Sequence, residues 1–402
     1  MRKLSCMALT GLLLLSGCVK AALAPTIPPE PDVDSASMAP LFLPTAEATP
    51  SPIPTPEPTP EPTPEPDPLE VYISSMTDAQ LVGQMVMVGF SGTKSIPDDA
   101  VGLIQQYEIG NIILFGWNVE DFDQTKRLCS EIQAVNISSV PMTISIDVEG
   151  GTVRRFVWSP KLASQQALAE GGDPQAAYEQ GIRIGQALAE TGITMNLAPV
   201  LDVADPESSF MGSRVFSSDP ILAGQMGAAE IRGLHDGGVL SMIKHFPGHG
   251  DAPEDPHDVS LSRDITMEQL MERDVAAFSA GMEAGADGIL VGHISLPKID
   301  SQWVASLSPV VIGSLLRDTM GFDGVVISDD LRMQAVAAVY DLGDAAIQHI
   351  LAGGDIVLLG KGIDSQWKIC VALEEALASG RISRDRAKES VYRILRMKGF
   401  AG

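Results

Sequence analysis

Leu240-Ser241-Met242-Ile243-Lys244-His245-Phe246-Pro247-Gly248-His249-Gly250-Asp251 starts as an apolar run and ends as a Pro/Gly loop. A short apolar stretch that stops on charged residues and a turn reads as a buried strand handing over to a loop. Working outward, seven further runs share this character: Met85–Phe90, Asn111–Phe115, Met142–Asp147, Thr194–Val200, Gly288–His293, Gly324–Asp329 and Asp355–Gly360. Amphipathic segments such as Asp121–Val135, Pro174–Glu190, Pro220–Asp236 and Met267–Glu283 lie between them, and Ser383–Lys398 is a last helix expected to pack outside. Near-continuous hydrophobic strands alternating with helices indicate a parallel sheet buried on both faces. Eight such repeats fit an α/β fold of the (β/α)8 TIM-barrel type, one domain over residues 69–402. A doubly wound open sheet is the alternative, but no Gly-x-Gly-x-x-Gly fingerprint follows the first run.

In a barrel, chemistry sits where strands pass into the following loops. The strand ends supply Asp147 and Glu149, Asp202, Lys244 and His245, His293, Asp329 and Asp330, and Lys361. The loop after the fifth run is the densest, with three of the six histidines, His245, His249 and His257, inside 13 residues. Two readings compete. His and Asp at short spacings can converge on zinc. Alternatively, Asp255 two residues before His257 can orient the imidazole for metal-free acid/base work. Of the neighbours Asp329 and Asp330, strand alternation predicts that only one faces the barrel mouth.

Sixteen of the 28 prolines fall between Pro25 and Pro68, so the first sixth of the chain stays out of the core. Arg2 and Lys3 precede the apolar run Leu4–Leu15, which reads as a secretory signal over residues 1–17, too short to span a bilayer permanently. Leu15-Ser16-Gly17-Cys18 resembles the bacterial lipobox, which implies lipidation at Cys18 and a domain exported and held on the outer face of the cytoplasmic membrane. Residues 18–68 read as a tether, and Pro50–Pro68 favours extended polyproline II, about 60 Å long at ~3.1 Å per residue. Cys129 and Cys370 fall in separate helices and read as lone buried thiols rather than a disulfide. The net charge of −25, with no Lys/Arg run, argues against nucleic acid as a partner. Aromatics at 5% leave little stacking surface for single strands.

Lys244-His245-Phe246-Pro247-Gly248-His249-Gly250-Asp251 followed by Asp255-x-His257 resembles the signature loop of family 3 glycoside hydrolases of the β-N-acetylhexosaminidase type. Four other segments share the resemblance: Ile146–Arg155 (IDVEGGTVRR), Asn196–Val203 (NLAPVLDV), Ser213–Pro220 (SRVFSSDP) and Ile327–Leu331 (ISDDL). It runs in order over residues 70–398 and implies a TIM-type barrel with neither metal nor cofactor. It further implies Asp329 as nucleophile and His257 as general acid/base paired with Asp255. Sugar-binding roles fall on Asp147, Arg155, Arg214, Lys244 and His245. The expected activity is that of an exo-acting retaining β-N-acetylglucosaminidase on carbohydrate such as cell-wall or chitin fragments. A β-glucosidase would be expected to lack the Lys-His-Phe-Pro-Gly-His-Gly loop; a sugar-binding lipoprotein on a disabled barrel would not need Asp255, His257 and Asp329. Pro256 and Val148 depart from the family's usual residues, Pro256 restricting Asp255 to extended geometry. No second α/β domain is expected after the barrel, so barrel loops alone must complete the site.

Overall fold

The computed structural model describes residues 67–92, 94–252 and 261–402. The signal segment, Cys18, the tether up to residue 66, and Asp255 with His257 lie outside the described residues. Eight parallel strands close into a barrel in chain order: β1 (Val86–Val88), β2 (Asn111–Leu114), β3 (Thr143–Ile146), β4 (Met195–Asn196), β5 (Leu240–Phe246), β6 (Gly288–Val291), β7 (Val325–Asp330) and β8 (Ile356–Leu359). Each falls inside one of the eight expected runs, apart from the single residue Asp330 beyond the seventh. Closure comes from β8 pairing with β1, Val86 opposite Val357. The strands are buried nearly throughout, which is why their sequences lack the apolar–polar alternation of half-exposed strands.

Helices cover the barrel where the amphipathic segments predict them, with three differences. The expected helix over 267–283 breaks at Arg273 into Met267–Glu272 and Asp274–Glu283. The break frees the Arg273 guanidinium to donate to the Val203 carbonyl (3.1 Å) and pair with Asp251 (2.6 Å). A short hairpin, Ser295–Leu296 with Asp300–Val304, follows β6 and carried no recognisable strand pattern. Pro68, read from sequence as the last residue of the tether, opens the helix Pro68–Ser75, where its missing N–H costs nothing. Asp67 caps that helix and accepts from the Tyr392 hydroxyl (2.9 Å), so the described chain begins against the C-terminal helix Arg384–Met397. Cys129 and Cys370 are buried free thiols, as read. Among the described residues, no helix is long and apolar enough to cross a membrane.

The helices Pro174–Thr191 and Pro220–Asp236, each opened by an Asp cap and a proline in the first turn, pack backbone against backbone. A Cβ on Gly233 would come within 2.2 Å of the Tyr178 carbonyl oxygen, and one on Gly181 within 2.6 Å of that of Glu230. These two helices lead into β4 and β5, the strands that run up towards Asp202 and Lys244. Glu230 itself is fully buried, and neither carboxyl oxygen has a hydrogen-bond partner among the described residues. Burial, reinforced by the Glu149 charge, pushes its pKa up to about 8. Between pH 4.5 and 8 the folded chain therefore keeps a proton that the unfolded chain releases, and stability falls as pH rises. Glu230→Gln should remove this slope: denaturant titrations at pH 5 and 8.5 should show the wild type losing a few kcal/mol more than the variant. Parallel profiles would mean that Glu230 is not protonated in the fold.

Candidate active site

Lys244 sits near the end of β5 with its ammonium only 3% exposed. An unpaired charge there would cost several kcal/mol, and two carboxylates answer it. Lys244 Nζ lies 2.7 Å from Asp147 Oδ1 and 2.8 Å from Glu149 Oε1. Each carboxylate then has an arginine on its other side: Arg155 Nη2 is 2.8 Å from Asp147 Oδ2, and Arg214 grips both oxygens of Glu149 at 2.8 and 2.9 Å. The result is a chain of alternating charge, Arg155–Asp147–Lys244–Glu149–Arg214. Burial alone would raise both carboxyl pKa values, but Lys244 with Arg155 outweighs it at Asp147 and Lys244 with Arg214 at Glu149. Glu149 is held at about 2 and Asp147 well below the usual carboxylate range, so both remain anionic at every physiological pH.

Asp202, fully buried, organises the histidines. One oxygen accepts from the His245 backbone N–H (3.1 Å) and from Nδ1 (2.8 Å); the other accepts from the His249 backbone N–H (2.6 Å) and from Nδ1 (3.0 Å). Burial lowers the His245 pKa. The ring is thus neutral, with its proton on Nδ1 facing Asp202 and Nε2 left as an acceptor. The ligand atoms of Asp202, His245 and His249 lie within 4.8 Å of one another, near enough for a metal, yet both Nδ1 atoms are already committed to Asp202. In the loop beyond, Gly248 and Gly250 adopt φ of +116° and +61°, and a Cβ on either would run into Asp274 or Arg263. Arg263 donates to the Gly248 carbonyl (2.8 Å) and pairs with Asp274 (2.9 Å), pinning the loop to the barrel.

Asp147, Arg155, Arg214, Lys244, His245 and Asp329 line a single cavity of about 450 Å³ at the C-terminal mouth of the barrel. All the sugar-binding residues and the nucleophile expected from sequence that fall among the described residues are therefore brought together. Asp255 and His257 fall in the segment outside them. Lys244 and His245 both reach the cavity because the register against β6 shifts between Lys244 and Phe246. The expectation that only one of Asp329 and Asp330 faces the mouth is corrected, since both residues line the cavity. β7 advances from Ile327 to Asp330 while β8 advances from Ile356 to Leu358, a bulge that breaks the alternation. Asp330 is occupied by backbone, accepting from Gly360 N (3.1 Å) and Arg332 N (2.9 Å), which suits it to hold the turn rather than to react. His293 is also structural: its ring bridges the Ser306 hydroxyl (2.6 Å) and the Asp330 carbonyl (3.0 Å). Glu149 was read only as one charge among the strand ends, and its place between Lys244 and Arg214 emerges only in three dimensions.

Removing Lys244 leaves two buried carboxylates facing each other. Lys244→Met should cost about 3–5 kcal/mol at pH 7 in urea unfolding, and less near pH 4 as one carboxyl takes up a proton. A variant as stable as the wild type at pH 7 would show that the charge chain does not bear on the fold.

Residues 77–397 match the family model described as the glycosyl hydrolase family 3 N-terminal domain. The chain is 33% identical to a beta-hexosaminidase of Xylella fastidiosa over 68% of its own length and 83% of the relative's. It is 28% identical to beta-hexosaminidase A of Pseudoalteromonas piscicida over 80% of its own length and 61% of the relative's. A solved glycoside hydrolase family 3 β-N-acetylglucosaminidase from Paenibacillus superposes with a TM-score of 0.77 at 37% identity, covering 81% of this chain and 62% of that one. The chain thus spans about three fifths of the length of these last two proteins.

Proposed function

The chain belongs to glycosyl hydrolase family 3, and from that membership and the cavity's geometry we propose that it is an exo-acting retaining β-N-acetylglucosaminidase. The observation that carries this reading is the presence of Asp329 in one cavity with a fixed set of sugar-hydroxyl partners. Asp147 and neutral His245 Nε2 accept hydrogen bonds, while Lys244, Arg155 and Arg214 donate them. Because these groups are already oriented by one another, a terminal sugar meets a preorganised site.

In the proposed reaction the Asp329 carboxylate attacks the anomeric carbon as the glycosidic C–O bond breaks, and protonated His257 gives its proton to the departing oxygen. Neutral His257 then takes a proton from water, whose oxygen attacks the same carbon and releases Asp329. Two inversions retain the β configuration. Asp255 orients the imidazole and favours its charged form. The substrates are GlcNAc-terminated cell-wall or chitin fragments, and no cofactor is required.

Both assignments are read in one trapping experiment. With an activated aryl N-acetylglucosaminide, whose leaving group scarcely needs a proton, His257→Ala should form the glycosyl-enzyme and then stall. Azide should restore turnover and yield a β-glycosyl azide, and peptide mass spectrometry of the stalled enzyme should place the sugar on Asp329. Label on Asp330 or any Glu would overturn the nucleophile, and no azide rescue would overturn His257.

The reading extends to location. The Leu15-Ser16-Gly17-Cys18 end of the apolar run supports a diacylglycerol-type anchor on Cys18, with the barrel outside the cytoplasmic membrane. Cys18→Ser should move the enzyme from the membrane fraction to the medium; equal partitioning of the two forms would remove the anchor.

A further inference from the structure

Strand β7 loses its neighbour just before Asp329. On the β6 side the ladder ends with Val291 opposite Ser328, one residue short of that carboxylate. Beyond this point a side chain takes over. His293, two residues past the end of β6 and 1% exposed, places Nε2 3.0 Å from the Asp330 carbonyl oxygen and Nδ1 2.6 Å from the Ser306 hydroxyl. The Asp330 carbonyl also accepts from Met333 N (2.9 Å), so both of its lone pairs are used. At its other end the same residue donates its amide to Asp329 Oδ1 (2.8 Å). His293 does not line the cavity that Asp329 lines, so it meets a substrate only through the main chain.

The partners dictate where the ring proton sits. A carbonyl can only accept, so Nε2 carries the hydrogen and Nδ1 is left to accept from the Ser306 O–H. Ser306 is steadied in turn. It is fully buried, and its carbonyl accepts from Nδ1 of His349, a fully buried residue of the helix Leu342–Leu351 (2.8 Å). Burial lowers the His293 pKa against the opposing pull of Asp329, and it holds His349 at about 4. Both rings are therefore neutral at physiological pH. A neutral ring can hold the main chain without adding a cation that would compete for the Asp329 charge.

We propose that His293 is a positioning residue for the nucleophile: its Nε2–H fixes the Asp330 main chain, whose amide aims the Asp329 carboxylate into the cavity. The Ser306 hydroxyl selects the tautomer that makes this possible. The inference rests on the proposed reading of Asp329 as nucleophile and adds a group that acts on it without touching the sugar.

The test separates the two ring contacts. Glutamine can place a donor near the position of Nε2, whereas asparagine reaches only that of Nδ1. His293→Leu and His293→Asn should lower kcat on an aryl N-acetylglucosaminide about ten- to hundredfold, with calorimetric affinity for GlcNAc within about twofold of the wild type. His293→Gln should recover most of the loss. Ser306→Ala leaves the ring in place but frees its tautomer, and should cost kcat roughly three- to tenfold, a check that holds if the His293 variants fail to fold. A second readout needs no turnover: the 13C titration of the Asp329 carboxyl, identified by its loss in Asp329→Asn. Its midpoint should rise in His293→Leu and Ser306→Ala, where the Asp330 amide is no longer held on the carboxylate, and stay near the wild-type value in His293→Gln. If the wild type hydrolyses nothing while the midpoint moves as expected, the catalytic reading fails and the positioning stands. An Asp329 titration that neither His293→Leu nor Ser306→Ala displaces, or a kcat loss as large in His293→Gln as in His293→Asn, overturns the role of His293.

Discussion

One buried ammonium constrains the whole cavity. The Lys244 side chain, only 3% exposed, carries its charge where water cannot solvate it. Asp147 and Glu149 answer its charge, and Arg155 and Arg214 answer theirs. Exchanging any one member strips each of its neighbours of a counter-charge. The residues come from the ends of β3 and β5 and the loop after β4, so the charge chain also fixes how these parts meet at the mouth. Arg155 shows the strength of that demand: it takes a left-handed φ of +53°, a conformation that a long side chain adopts only when its surroundings hold it there.

The scaffold meets this demand by rigid packing well below the cavity. The glycine contacts between helices Pro174–Thr191 and Pro220–Asp236 bring two backbones together at a spacing that larger side chains would not permit. Asp202 then converts backbone position into side-chain orientation, since each of its oxygens takes one main-chain amide and one imidazole. A shift of either histidine loop would lose two hydrogen bonds at once. The loop following β5 is pinned again by Arg263 and Arg273, from segments that come later in the chain.

Much of this was legible in the sequence because burial on both faces of a parallel sheet leaves an unambiguous mark: eight apolar runs, six of them ending in ionisable residues. Helix starts were equally plain where an Asp and a proline stood together, as at Asp173-Pro174 and Asp219-Pro220. What stayed hidden depends on partners distant in the chain. Arg273 interrupts a good helical pattern for contacts at Val203 and Asp251, which no local propensity records. Asp330 faces the cavity because β7 bulges against β8, and a register shift is a property of two strands rather than one. Glu149 was visible as a charge but not as a partner of Lys244 and Arg214, since pairing among five charges has many solutions in one dimension. The Ser295–Val304 hairpin was too short and too polar to stand out.

The junction at Asp67 has a mechanical consequence. Asp67 is fastened to Tyr392, and the helix it opens packs beside the C-terminal helix near Asp323, just before β7 begins at the N-terminal end of the barrel. A pull transmitted through the preceding residues would load this outer pair of helices on the floor of the barrel. The strand ends that carry Lys244 and Asp329 lie at the opposite end, separated from that load by the full height of the closed sheet. The cavity is thus mechanically separate from the point where the described chain begins.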